Sequence, residues 1–525
     1  MNQTNFYIGI AAMKNPRMVT ALKLLKKLQD KHSGVVESAD LPAESRSLLV
    51  TTGFLRQVSK GWYVCSNPKN AQGDSTSWYA SFWAFLSGYL RKRFGKRYCL
   101  NPEASLLLQT GGTVIPPQVT AVTKESGNSV LGLPFNTSLL MYQDERRVPK
   151  SRIEVQGVQV LPLPEALCRV QPRFFVSNPR EIEIALAQIR DVSELLTTLL
   201  ADDGLPTSAG RLAGALAQAG RQGEADRIVN TMGKAGFKVS VTNPYADIPG
   251  FAPTIGVTRD RSPYVLRLKS MWAGWREDVL SIFPPAPGLS ADADGYLKQV
   301  QDRYLADAYN SLSIEGYQVS DALIERVAKN GWNPDDNPED KASKDAMAAR
   351  GYYQAFQGVK QTINDVLGGE NVTDAVKRAH HEWHGELFAP AVALGIAKKH
   401  ELAGYRTGPV FIRNSQHTPL PRDALLDSME ALFDLLGNEP APAVRAVLGH
   451  HLFVFIHPYF DGNGRLGRFL MNVMLASGGY PWTVIRMKSR NRYMEALEDA
   501  SVKGNIKPFA QFVLDEMNDW SPEKS

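Results

Sequence analysis

Two strongly apolar segments, AVRAVLGHHLFVFI (443–456) and FLMNVMLASGGY (469–480), are separated by twelve residues dominated by Gly, Asn, Asp, Arg and aromatic positions. Each segment is long enough for three helical turns and too uniformly apolar to face water, so the pair predicts two buried helices joined by one tight polar turn. Such helices need others to cover them, and from about residue 290 to about 518 the pattern is predominantly helical. A hydrophobic content of 43% and a charged content of 22% suit a soluble globular chain. At 525 residues, several domains are expected. No run of about 18 apolar residues and no leader-like start are evident, so no membrane partner and a cytoplasmic location are expected. Cys65, Cys99 and Cys168 are too few and too far apart for a disulfide framework or a zinc site.

Charge is unevenly spread. Residues 1–170 hold 21 basic against 11 acidic side chains, and the remainder holds 38 against 43. A basic first third favours a polyanionic partner there, with a solvated basic face as the plain alternative. Helical spacing over 16–31, VVESADL as a short helix, a helix over 43–52 ended by Gly53, and a hairpin around Ser59-Lys60-Gly61 follow in turn. This is the order of a winged helix-turn-helix, a module that binds DNA or docks proteins. Arg46, Arg56 and Lys60 are its candidate DNA contacts. The aromatics of 75–100 are expected in a core, and residues 110–170 read as strands of a small α+β domain. Helices return at 178–200 and 208–234, and Pro/Gly-rich 236–295 reads as a loop-rich connection.

The first 235 residues loosely resemble the antitoxins of AbiE-type (type IV) toxin–antitoxin systems, through this layout and the wing Gly61-Trp62-Tyr63. That resemblance implies operator binding and autoregulation. The expected domains are 1–70 (winged helix), 71–240 (α+β), 241–295 (connection) and 296–520. The fold class is multidomain and mainly α.

The twelve-residue string is His457-Pro458-Tyr459-Phe460-Asp461-Gly462-Asn463-Gly464-Arg465-Leu466-Gly467-Arg468. Gly462, Asn463 and Gly464 tolerate the backbone angles that aim consecutive amides at one anion, at the start of a helix. Asp461 offers a hard oxygen to Mg2+. Arg465 and Arg468, three apart, share a helix face as forks for phosphate oxygens. Within the string, His457 alone accepts a proton near neutral pH. Proton acceptor, metal ligand, anion nest and paired cations are the parts that phosphoryl or nucleotidyl transfer needs.

The string resembles the signature of the Fic family, HPFx[D/E]GNGRxxR, with Tyr459 in place of the usual Phe; a buried ring there needs a partner for its hydroxyl. The likeness extends from about 300 to 518. TGPVFIRNSQHTPLP (407–421) is similar to the family's β-hairpin flap, which aligns the target by strand addition, and His417 within it is a candidate docking residue. The resemblance implies an all-α Fic fold that transfers AMP from Mg-ATP to a Ser, Thr or Tyr hydroxyl of a target protein. His457 would be the base and Asp461 the Mg2+ ligand. Gly462, Asn463 and Gly464 would cradle the α- and β-phosphates, with Arg465 on the β- and Arg468 on the γ-phosphate. Tyr493 and Asn472 are positional guesses for adenine contacts.

Ser311-Leu312-Ser313-Ile314-Glu315-Gly316 matches the family's inhibitory pattern, [S/T]xxxE[G/N]. It implies that Glu315 pairs with Arg468 and excludes the γ-phosphate. Alternatives stay open: UMP or GMP transfer, removal of AMP, a nucleotide-sensing DNA-binding regulator, and a homodimer. HHEWH (380–384) lacks the HExxH order of a zinc site, and its histidines are expected to be structural or solvent-facing.

Overall fold

The computed structural model describes residues 16–519 apart from 33, 69–72, 125–126, 145–147, 150, 202–203, 256–259, 261, 330–342, 398–401 and 403. The chain forms two compact units, one of residues 2–270 with 411–418 and the other of 271–410 with 419–525.

In the first unit, helix Pro16–His32 is followed by β1 (Val35–Glu37), a single 3-10 turn (Ser38–Asp40) and helix Ala43–Thr51. The hairpin β2 (Leu55–Ser59) and β3 (Trp62–Cys65) comes next. The sheet order is β1-β3-β2, both pairs antiparallel. The segment VVESADL, expected to be helical, thus gives a strand and one 3-10 turn: Val35 and Val36 are β-branched, and both are buried by pairing with β3. Beyond it, β4 (Tyr98–Leu100), β5 (Gln118–Thr123), β6 (Ser129–Gly132) and β7 (Ser138–Gln143) form a sheet ordered β4-β5-β7-β6, with β5 and β7 parallel.

Two expected boundaries do not hold. Residue 70 is not a clean boundary: Met18, Leu22, Leu25, Leu41, Leu49 and Leu55 form a small core of their own, but Val35, Val58, Trp62 and Val64 share one with Trp78, Phe82 and Phe85 of helix Thr76–Phe94. Trp62 meets Phe85 edge-on at 5.7 Å, and Gly88 leaves the space its ring needs. The expected 241–295 connection is also ordered over most of its length. Tyr245 belongs to the core of the helices over 163–234. Buried Glu183 accepts hydrogen bonds from the amides of Thr254 and Ile255 and from the Ser270 hydroxyl (2.9 Å). Helix Pro263–Leu280 follows, and the division between the units falls at 270 inside it, not near 290. The prolines flanking this helix hid an apolar face that includes Leu266, Leu268, Met271, Trp272, Trp275 and Val279.

The second unit is helical. Its helices are α1 (Ala293–Asp302), α2 (Tyr304–Ile314), α3 (Asp321–Ala328), α4 (Lys344–Leu367) and α5 (Val372–Ala393). They continue with α6 (Leu425–Asn438), α7 (Pro442–Ile456), α8 (Asn463–Ala476), α9 (Arg490–Glu498) and α10 (Lys507–Asn518). Helices α7 and α8 are the two apolar segments, buried along nearly their whole length. No described helix is long and apolar enough to cross a membrane.

The expected flap hairpin is absent. Among the described residues of 407–421 no strand pairs with another, and the one β-bridge joins His417 to Val114. Pro409, Pro419 and Pro421 remove three donors that a ladder would use. His417, offered as a docking residue, is 3% exposed within the first unit.

Candidate active site

Helix α7 ends at His457, whose φ of 57° places a non-glycine residue in the left-handed region. Its amide still bonds to the Phe453 carbonyl (3.0 Å), and Pro458 stops the helix from continuing. The imidazole Nδ1 lies 3.2 Å from the Val454 carbonyl, which accepts from an Nδ1–H. In that tautomer Nε2 carries the free lone pair. Burial pushes the imidazole down to about 4, against the opposing pull of the Val454 carbonyl, and the Arg406 cation adds to the depression. At neutral pH His457 is therefore an uncharged proton acceptor.

The turn is braced from within. Asn463 accepts from the Tyr459 amide (3.0 Å) and donates to the Tyr459 carbonyl (2.8 Å), so its buried side-chain amide is a strut. Gly462 caps α8 with φ 87°, a conformation in which any other residue is strained. Its N–H donates to Asp461 Oδ1 (2.6 Å), so one of the three expected nest amides is held by the neighbouring carboxylate. Crowding by itself would raise the Asp461 carboxyl. The Arg465 guanidinium and the Gly462 N–H outweigh it and hold the group below the usual carboxylate range. An ionised carboxylate, 62% exposed, fits a magnesium ion that brings its other oxygen ligands with a triphosphate.

Arg465 and Arg468 project from the first turns of α8 and are both buried. The Arg465 guanidinium packs over Phe388 (5.1 Å) and Tyr317 (5.5 Å) and donates to Asp461 Oδ1 (3.3 Å). Buried Arg465 Nε and Arg468 Nη1 have no hydrogen-bond partner among the described residues. Two orphaned donors beside a helix N-terminus suit phosphate oxygens.

The segment 311–316 comes to this point from the end of α2. Arg468 Nε donates to Ser311 Oγ (2.9 Å), and Nη2 donates to the Ser311 carbonyl (3.2 Å) and to Glu315 Oε1 (2.8 Å). Gly316, at φ 88°, turns the chain out of the helix just after Glu315. A Cβ built on Gly464 would lie 2.5 Å from Glu315 Oε1, so the carboxylate rests against the first turn of α8, where only glycine leaves it room.

The hydroxyl of Tyr459 finds its partner in His381 Nδ1 at 2.7 Å, while the ring stacks on His384 at 3.9 Å. HHEWH is thereby a packing and hydrogen-bonding element, with His380 bonded to the Tyr405 hydroxyl (3.0 Å). No group of three or more metal-binding side chains occurs among the described residues. Tyr459→Phe should change transfer less than twofold and lower stability by less than about 1 kcal/mol, because exposed His381 regains water. Thermal melts and transfer rates check this, and a tenfold loss of rate would show that the hydroxyl serves the chemistry.

Both residues guessed for adenine are buried and already engaged. Tyr493 is 1% exposed, its hydroxyl bonded to His450 Nε2 (2.8 Å). Asn472 uses both ends of its amide on the Arg468 and Thr483 carbonyls and the Thr483 amide. In the first unit, Arg46 donates to the Ser38 carbonyl (2.5 Å) and Arg56 to the Asp74 carbonyl (3.0 Å), and Lys60 is exposed at the hairpin turn. Sequence reasoning missed Arg406, 2% exposed, which donates to the His457 carbonyl (2.8 Å). Its partners are backbone carbonyls, which leave no mark on the sequence.

Comparisons with known proteins meet this site. Residues 373–475 match the Fic/DOC family. A protein of Nematostella vectensis named "Protein adenylyltransferase Fic" is 30% identical over 221 residues, 41% of this chain and 47% of its own length. Its namesake from Drosophila yakuba is 30% identical over 236 residues, 43% and 42% of the two chains. The chain thus spans about half the length of the curated relatives it matches. Among solved structures, Fic-1 from C. elegans is 18% identical with a TM-score of 0.34, covering 64% of this chain and 84% of that one. A Fic domain containing signaling protein from Bacteroides thetaiotaomicron is 18% identical with a TM-score of 0.33, covering 47% and 94%. The segment 373–475, which contains the whole 457–468 turn, is thus similar to a Fic domain.

Proposed function

We propose that this Fic domain transfers AMP from Mg-ATP to a Ser, Thr or Tyr hydroxyl of a protein, and that Glu315 holds it in check. The observation that carries the reading is the convergence, on one turn between α7 and α8, of a neutral imidazole, an ionised carboxylate and two buried guanidiniums. His457 Nε2 takes the proton of the attacking hydroxyl. Its oxygen bonds to Pα of ATP as the Pα–O bond to pyrophosphate breaks. Arg465 and Arg468 bind the departing phosphates and neutralise their charge. Asp461 would hold magnesium, which supplies charge neutralisation on the phosphate oxygens. The relatives named adenylyltransferases support AMP over other nucleotides.

Intact mass tests the reading directly. The Glu315→Gly protein, incubated with magnesium and ATP, UTP or GTP in parallel, should gain one AMP-sized adduct or several, and with ATP preferred. An adduct from UTP or GTP alone would replace AMP by another nucleotide. No adduct with any of them, on the chain itself or on proteins of a lysate, would sink the transferase reading.

For residues 16–65 we propose nucleic-acid binding, supported by the β1-β3-β2 sheet beside two helices and by exposed Lys23, Lys27 and Lys60. Affinity for a labelled duplex should fall steeply between 50 and 200 mM salt, on the order of tenfold or more even for a few phosphate contacts. Lys60→Glu should weaken it further. Binding that is insensitive to both would favour a protein partner.

A further inference from the structure

Arg406 stands outside the phosphate-facing string, 51 residues before His457 in the chain. It is 2% exposed, and its guanidinium spans three separate backbone carbonyls. Nε donates to His457 (2.8 Å), Nη1 to Gly408 (2.9 Å) and Nη2 to Leu420. The Arg406 amide donates to the Pro458 carbonyl (2.8 Å), so the residue grips both carbonyls of the His457-Pro458 step. Gly408 and Leu420 stand near the start and end of the flap segment 407–421. Burial pushes the guanidinium down to about 10, still charged at neutral pH. A buried cation held by carbonyl dipoles is an expensive arrangement for surface loops alone. What it fixes is a left-handed residue, His457 at φ 57°, a conformation that persists only where its surroundings hold it.

We infer that Arg406 is a positioning residue for the transfer, a clamp that sets the His457 imidazole against both ends of the flap. The inference rests on the reading of His457 as base. The planar guanidinium is required because its nitrogens point in fixed, divergent directions. The lysine ammonium is a single point and cannot span three carbonyls from one place. Loosening the base by about 1 Å is enough to cost on the order of 100-fold in rate.

The test uses the full chain carrying Glu315→Gly, with Arg406→Lys and Arg406→Gln added singly. AMP incorporation at saturating ATP should fall about 10- to 100-fold in each, with the ATP Kd within threefold of the parent. Hydrogen exchange should rise selectively in peptides covering 404–410, 419–424 and 457–462. A Lys variant as fast as the parent, with unchanged exchange in those peptides, overturns the clamp. So does protection lost evenly across α7 and α8 in both variants, which would make Arg406 a residue of the fold alone. If the parent transfers no nucleotide, the transferase reading fails, and the exchange measurements still decide whether Arg406 clamps the His457 peptide.

Discussion

Glu315→Gly is expected to raise AMP incorporation by about 10- to 100-fold at sub-saturating ATP, the range set by one charge-assisted hydrogen bond of about 1.5–3 kcal/mol. The carboxylate holds Arg468 Nη2 at 2.8 Å and rests against Gly464, so on the proposed reading it would compete with an incoming phosphate for both the cation and the helix end. Two like charges cannot share that place. The triphosphate would then be either excluded or bound with Pα out of line with the acceptor. Initial rates with α-labelled ATP on the wild type and the variant check this.

The same substitution makes a second, independent demand. Arg468 is buried and keeps its two bonds to Ser311, but it loses the charge that offsets its burial. Glu315 is 28% exposed, so solvent screens part of the pair, and the cost to stability is modest. The variant should melt a few degrees lower than the wild type without nucleotide. It should gain more from a given excess of ATP, since a ligand that binds only the folded state stabilises it by an amount that rises with the logarithm of its affinity. Equal ATP-induced shifts in both proteins, together with equal rates, would remove the inhibitory role of Glu315.

What could be read in advance follows how local each signal is. The string 457–468 places its chemistry within twelve residues between two helices, so periodicity and residue type suffice to draw it. The hydroxyl of Tyr459 called for a partner, yet nothing in the sequence points across 78 residues to His381. Arg406 was invisible for a deeper reason: carbonyls are common to every residue, so a side chain that binds only backbone has no pattern. Breakers misled in two places. The prolines around 263–280 suggest a linker where they flank a helix, and the hairpin expected over 407–421 from the family resemblance overlooks Pro409, Pro419 and Pro421, which lack the donors of a ladder. Asn463 lies at the turn, but its side chain is spent on bracing Tyr459, so only its backbone could contribute to an anion nest.

His457→Asn should reduce transfer by at least about 100-fold while changing the ATP Kd less than threefold. Asparagine is the sharper choice than alanine because it tolerates the left-handed backbone at this position and can still bond to the Val454 carbonyl, so the turn survives without its base. Nucleotide affinity should persist because the groups assigned to the phosphates, Arg465, Arg468 and the start of α8, are untouched. The pH profile makes the assignment stricter. The imidazole is depressed to about 4, so the reactive neutral form is already full at pH 6 and drains only as pH falls toward that value. In the Glu315→Gly background, kcat/KM should therefore stay nearly level from pH 8 to pH 6, over the range where circular dichroism is unchanged. An ordinary histidine would already have lost more than half its activity at the lower end. A rate that halves near pH 6.5, or an asparagine variant that keeps a tenth of the parent's rate, would mean that another group takes the proton.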